Sequence, residues 1–399
     1  MNFVFLYRNQ FLPQEGGVQR VSIALAEYFQ QKGNNVHYLS QKKYSDSILE
    51  NQFFFPNDAN IKTGENISFL SKFIKEHKID IVFNQCGHDI SYSNLLNQIN
   101  NLPFLVSCIH CSILPPILNY YESHIEKARK YKVNYLLELL KFDIVKNRFV
   151  SYKKNGLRKI YKSVVDVSDI VSPLTMSAKN DITEILKKEY KHIYPIPNPK
   201  PFASTHLKTN FEKEILFVGN INTTYKRVDL LVKVWEKTFK EVRPWKLTVV
   251  GNGPSLKELQ QYCKDNTIEN IEFVGKKDPT KYYKRASIIC MTSTTEGLSM
   301  TLLEALNFGL VPVVFDSYLG VREVIQHDFN GLLIPAFDLG LYAKSLIELC
   351  NNQSIISQLS KNAQLSSEKY TIETIGDKWL DLLINNIKIN NESYISSRS

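Results

Sequence analysis

The stretch TTEGLSMTLLEALNFGLVPVV, residues 294–314, decides how this chain is read. It follows the apolar run SIICMTS (287–293) and reads as strand, loop, helix and a second buried strand. Two carboxylates interrupt it. Glu296 stands in the loop, and Glu304 stands a little over one turn into the helix. Burying a carboxylate without donors is expensive. The loop, Glu296, Gly297, Leu298 and Ser299, delivers backbone N–H groups at a helix N-terminus, an arrangement suited to a phosphate. Neutral hydroxyls would satisfy buried carboxylates without charge pairing, and a ribose or hexose diol supplies two. Phosphate on the amides, ribose on one glutamate and sugar on the other describe a nucleotide-sugar. The stretch also fits a helix-capping Glu296 and a Glu304 paired with a nearby lysine.

Working outward, the chain divides into two halves with one pattern. The first has FVFLY (3–7), NVHYLS (35–40), DIVFNQ (80–85), FLVSCIH (104–110), DIVSPL (169–174) and HIYPIP (192–197) as strands. The second has EILFVGN (214–220), WKLTVVGNG (245–253), IEFVG (271–275), SIICMTS and LVPVVF (310–315). Strands alternating with amphipathic stretches predict βα units and parallel sheets. Runs apolar at nearly every position suit strands covered on both faces. The Pro-rich IPNPKPFAST (196–205) breaks regular structure. The predicted organisation is a first domain over 1–198 with a basic insertion at 113–165, and a linker over 199–212. A second domain over 213–385 and a polar tail over 386–399 follow.

Three further stretches carry candidate chemistry. FVGNINTTYKRVDLL (217–231) puts Lys226 and Arg227 near a helix start. Cations there oppose the helix dipole unless they face an anion or stand in solvent. QEGGVQRVSIALAEYF (14–29) puts Gly16 and Gly17 before a helix, where they permit close backbone approach or form a simple turn. It lacks the G-x-G-x-x-G of a dinucleotide loop, which disfavours a nicotinamide oxidoreductase. His110 ends a strand on the side where open α/β sheets bind ligands. With Cys108 and Cys111 it fits no common zinc spacing. No Asp-x-Asp occurs, which argues against a metal-clamped diphosphate. No metal and no cofactor are expected.

The chain has 399 residues and six scattered cysteines, read as thiols rather than a disulfide framework. Its start carries no signal-peptide pattern, and no apolar run approaches the ~18–20 residues of a membrane span. A cytoplasmic protein, or one peripheral on the inner face of a membrane, is expected. The net charge of +9 comes from one segment, 126–162, with twelve Lys or Arg against three Asp or Glu. Interleaved with Tyr131, Tyr135, Phe142, Phe149, Tyr152 and Tyr161, these cations suit anionic lipid headgroups or a solvated helical excursion. Nucleic acid is not an expected partner, since no binding motif accompanies the charge.

In order and spacing these pieces resemble the retaining glycosyltransferases of family four. The shared pieces are the GG loop, the strand-ending His110, IPN, VGN…YKR, VVGNGP and EGLSMTLLEAL, whose Glu296 and Glu304 match the E-x7-E signature. FNGLLIP (329–335) and a C-terminal helix around Trp379 complete the set, which spans 16–379. The resemblance implies the GT-B fold, two Rossmann-like parallel-sheet domains facing each other across a cleft. It implies a metal-independent transfer with retention and without a covalent intermediate. The donor is a nucleoside diphosphate sugar, UDP- ahead of GDP-, carrying a hexose or N-acetylhexosamine. The acceptor is a lipid-linked or polysaccharide glycan of lipopolysaccharide, O-antigen or capsule assembly. Glu304 would hold the ribose, and Glu296 and His110 would face the donor sugar. Amides of Gly297, Leu298, Ser299 and Met300 and the Gly16–Gly17 loop would meet the phosphates. Lys226 would neutralise the departing diphosphate, with Arg227 a donor-site residue that could swing in as a second cation. The family usually has Arg where this chain has Asn220, so one of two cations is missing. A non-catalytic nucleotide-sugar binder and a nucleotide-sugar epimerase on the same fold are the alternatives.

Overall fold

The computed structural model describes residues 1–13, 16–115, 117, 143–203 and 205–396. They form two compact units. The first comprises Met1–Ile113, Arg148–Pro201 and Tyr370–Ser399. Its strands are β1 (Asn2–Tyr7), β2 (Asn35–Ser40), β3 (Gln52–Phe54), β4 (Ile81–Asn84), β5 (Phe104–Ile109) and β6 (Ile170–Pro173). They pair in parallel in the order β3-β2-β1-β4-β5-β6. Helices α1 (Gly17–Gln31), α2 (Gly64–Glu76), α3 (Ile90–Leu96), α4 (Asp143–Val167) and α5 (Met176–Leu186) accompany them. Thr63, Asp89 and Thr175 cap α2, α3 and α5, each accepting a backbone N–H that would otherwise lack a partner. The core is aromatic, with Phe5 stacked on Phe83 at 5.0 Å between ring centres.

The second unit is built on Phe202–Lys369. In chain order it runs β7 (Glu212–Val218), α6 (Val228–Thr238), β8 (Lys246–Val250), α7 (Leu256–Asp265), β9 (Ile271–Gly275) and α8 (Thr280–Arg285). Then come β10 (Ala286–Met291), α9 (Met300–Asn307), β11 (Val311–Asp316), β12 (Leu332–Pro335), α10 (Leu339–Cys350) and α11 (Gln353–Ser367). The parallel order is β12-β11-β10-β7-β8-β9. Counted from its own first strand, each sheet has the doubly wound order 3-2-1-4-5-6. The order reverses between β1 and β4 in one sheet and between β7 and β10 in the other. At such switch points the loops leaving the strand ends part and open a crevice. β10 is buried at every position, as its apolar run predicts. Gly251 shows why VVGNGP needs glycine. Its φ is +149°, and a Cβ there would lie 1.8 Å from the Gly219 carbonyl oxygen.

The last helix, α12 (Ile372–Ser396), groups with the first unit. Its Trp379 ring meets Phe83 edge-on at 5.1 Å, and a Cβ on Gly376 would lie 2.2 Å from the Tyr28 ring. Several expectations need correction. The helix continues past Asn385, where a polar tail was expected. HIYPIP is not a strand. Only Ile193 bridges to Val171: Tyr194 and Ile196 still donate to the carbonyls of Val171 and Pro173, but Pro173 in β6 has no N–H to return a bond and extend the ladder. β3 and β12 were not anticipated as strands, since three or four residues give too little periodicity. Of the basic segment, residues 126–142 lie outside the described residues, and the remainder belongs to α4.

Candidate active site

In the second unit the loops after β7 and β10 leave from the switch point, side by side. Adjacent pairing of these strands, with Ile288 opposite Ile215 and Ile289 opposite Leu216, sets that proximity. The loop after β7 is organised by Asn222, which is 4% exposed. Its Oδ1 accepts from the backbone N–H groups of Thr224, Tyr225 and Lys226, and its Nδ2 donates to Asn220 Oδ1 at 3.0 Å. The loop after β10 is stitched to it: Thr294 N donates to Tyr225 O at 2.8 Å, and Thr292 Oγ1 donates to Arg227 O at 2.8 Å.

The stitching delivers Lys226 onto Glu296. Nζ donates to Oε1 at 2.5 Å, and the side chains are 13% and 16% exposed. The lysine stem passes beside Gly219, its Cε 3.6 Å from where a Cβ would stand. Tyr318 is packed nearby, and burial, then the Glu296 charge, push its phenol pKa up. α9 starts at Met300 with Ser299 at its N-cap, no side-chain capping bond and no acidic residue in its first turn. Its first N–H groups therefore point where an anion would be favoured. Glu304, on the same helix, is 2% exposed and accepts a hydrogen bond from Tyr283 Oη at 2.6 Å. So Glu296 is an ion-pair partner and not a helix cap. Arg227 turns elsewhere: its guanidinium grips Asp229, at 2.9 Å from Nη2 to Oδ2. Asn220 is exposed at the loop's edge.

In the first unit, Gly16 precedes α1 with φ +49°, and Gly17 begins that helix. His110 follows β5, and Nε2 meets Gln85 Oε1 at 2.6 Å. With that oxygen accepting, Nε2 carries the proton and the buried Nδ1, which meets no donor, keeps a lone pair. Burial, then His88, push its pKa down to about 3, so the ring is neutral at physiological pH. Among the described residues no group of three or more His, Cys, Asp or Glu is placed to hold a metal ion. No helix there is long and apolar enough to cross a membrane.

Residues 202–366 match the family described as glycosyl transferases group 1. Over 377 residues the chain is 30% identical to an uncharacterized glycosyltransferase of Haemophilus influenzae, covering 92% of this chain and 96% of that one. This chain belongs to the group 1 glycosyltransferases.

The glycosyltransferase is also 29% identical to the amylovoran biosynthesis glycosyltransferase AmsD of Erwinia amylovora, over 57% of its own length and 66% of the relative's. Among solved structures, Anabaena HepE in complex with UDP-glucose superposes with a TM-score of 0.68 at 16% identity, covering 96% of this chain and 100% of that one. That likeness shows the GT-B fold. The glycosyltransferase thus gathers Lys226, Glu296, the 297–300 amides and Glu304 on one unit, and His110, Gly16 and Gly17 on the other. Sequence reasoning missed Asn222, Gln85 and Tyr283. An Asn ahead of Thr-Thr is a turn signal that would have pointed to Asn222. Tyr283 and Gln85 act from strands or helices remote in sequence, and nothing local marks them.

Proposed function

We propose that this glycosyltransferase moves a hexose or N-acetylhexosamine, with retention, from a nucleoside diphosphate sugar to a lipid-linked or polysaccharide acceptor. UDP is favoured over GDP. The setting is bacterial surface glycan assembly, of the lipopolysaccharide, O-antigen or capsule kind. The observation that carries this is the Lys226–Glu296 pair beside the uncapped start of α9, with Glu304 buried behind it. An ammonium and free amides suit a diphosphate. Carboxylates suit sugar and ribose hydroxyls. The relative named for amylovoran biosynthesis and the UDP-glucose complex of HepE support the same substrate classes.

In this reading the diphosphate lies on the amides of Gly297, Leu298, Ser299 and Met300 and on Lys226. Glu304 takes the ribose hydroxyls. Glu296, oriented by Lys226, holds the donor sugar, and neutral His110 faces that sugar with a hydrogen-bonding edge. As the bond from anomeric carbon to phosphate oxygen breaks, negative charge grows on the diphosphate, and Lys226 stabilises it. The acceptor oxygen bonds to the anomeric carbon, and its proton passes to the leaving phosphate. Residues 126–162 supply peripheral contact with an anionic membrane. Within α4, Arg148 and Lys159 are exposed, and Tyr152 is 74% exposed. A second reading, binding without transfer, is favoured by Asn220 alone, which leaves the diphosphate one cation short.

Calorimetric titration with UDP, GDP and ADP in the presence of EDTA tests the proposal. Base-selective binding is expected. Binding without turnover on any acceptor, with turnover gained by Asn220→Arg, would establish the second reading. No binding by either protein would refute the donor site.

A further inference from the structure

Residues 202–203 and 205–208 open the second unit, and they do more than lead into β7. Thr205 Oγ1 donates to Asn307 O, the last carbonyl of α9, at 2.6 Å, and Asn307 Nδ2 donates back to Ala203 O at 3.1 Å. Gln364 of α11 locks the same place. Its Nε2 donates to His206 O at 3.0 Å, and its Oε1 accepts from Lys208 N at 2.7 Å. The strap then ends in Lys208, whose ammonium reaches the last turn of α8. It donates to Tyr283 O at 3.3 Å and Lys284 O at 3.1 Å, and also to Ala286 O. A cation there satisfies carbonyls that the helix leaves open and complements its dipole. One segment therefore holds the C-terminal ends of both α8 and α9.

Between those ends lies an aromatic stack. Tyr283 is fully buried, its ring parallel to Phe308 at 5.6 Å and 6°, and Phe202 meets Phe308 edge-on at 5.2 Å. The stack and the Lys208 anchor fix the Tyr283 ring. Its hydroxyl then reaches Glu304 Oε2 at 2.6 Å. A buried carboxylate has several lone-pair sites, and one strong donor on one oxygen selects which way the rest face.

We infer that Tyr283 is a positioning residue for donor binding: held by the Thr205–Lys208 strap through Lys208, it orients Glu304 toward the ribose hydroxyls of the nucleotide. The inference rests on the proposed reading of Glu304 as the ribose-binding group. It assigns a role to the opening segment of the second unit that neither turn chemistry nor chain connection requires. Tyr283 touches no substrate, and its effect is confined to interactions that Glu304 makes.

That confinement sets the test. Binding of UDP and of 2′-deoxy-UDP is measured calorimetrically for the wild-type chain, Tyr283→Phe, Lys208→Met, Lys208→Arg and Glu304→Ala, with melting temperatures alongside. The wild type should prefer UDP. Glu304→Ala should abolish the preference. Tyr283→Phe should weaken UDP by about tenfold, the range of one hydrogen bond to a charged group, and leave 2′-deoxy-UDP within about twofold. Lys208→Met should do the same more weakly, and Lys208→Arg should restore the preference. An equal loss for both nucleotides in Tyr283→Phe would reduce the residue to a structural role and overturn the inference. Unchanged affinities in Tyr283→Phe beside a lost preference in Glu304→Ala would overturn it while sparing the ribose reading. An unchanged preference in Glu304→Ala would overturn both.

Discussion

Lys226→Met removes the cation on which the proposed chemistry depends and leaves Glu296 with no ammonium at 2.5 Å. The side chains are 13% and 16% exposed, between the surface and the deep interior. Exposed pairs contribute roughly 0.2–1 kcal/mol, and breaking a fully buried pair costs roughly 3–5 kcal/mol. Coulomb attraction at 4 Å is about 4 kcal/mol at an effective dielectric of 20, and desolvation offsets much of it. The expected destabilisation is therefore about 2 kcal/mol. Most of it comes from a half-buried carboxylate stripped of its donor. Glu296→Gln removes that charge, so a double-mutant cycle should return a coupling of about 1–2 kcal/mol. Hydrogen exchange in peptides covering α9 and the loop before it reads this locally, which matters in a chain of two units. Turnover should behave differently. Lys226→Met should lose about two to three orders of magnitude in kcat, and the double variant should recover stability without recovering turnover. Wild-type kcat in Lys226→Met, or a coupling near zero, would refute the reasoning.

Other expectations follow from the same geometry. His110 has its pKa pushed down to about 3 by burial and by His88, against about 6.5 in an unfolded chain. The unfolded chain then binds the extra proton, so the stability from neutral His110 is complete above pH 6.5 and falls toward pH 3, by up to about 1.4 kcal/mol per pH unit. His110→Gln should flatten that acid slope for peptides covering β4 and β5, and an unaltered slope would count against the burial argument. Gly251→Ala forces a Cβ to 1.8 Å from the Gly219 carbonyl oxygen at φ +149°. It should cost at least about 2 kcal/mol in thermal or urea unfolding, and a neutral effect would show that the two loops part easily. Co-sedimentation should favour anionic over neutral vesicles and weaken with salt, by about 1 kcal/mol per cation at the surface. Equal binding to both vesicle types would remove the membrane role.

What the sequence alone determined is local. Runs apolar at every position specify strands covered on both faces, and their alternation with helical stretches specifies two parallel α/β halves. The spacing of Glu296 and Glu304 places one carboxylate before α9 and one inside it, because a helix start and a helix interior are both local properties. HIYPIP failed as a strand because Pro173 in the neighbouring β6 has no N–H to donate to it, which the apolar content of HIYPIP itself does not show. The tertiary structure decided which groups meet. Lys226 and Glu296 are 70 residues apart in the chain, and only the pairing of β10 with β7 at the switch point brings their loops together. Tyr283 reaches Glu304 because α8 and α9 are clamped at one set of ends, and Gln85 reaches His110 because β4 pairs with β5. Arg227, next to Lys226 in sequence, turns to Asp229 in space. Adjacent residues in a loop diverge and distant ones converge because strand order, not sequence separation, sets which loop ends share a crevice.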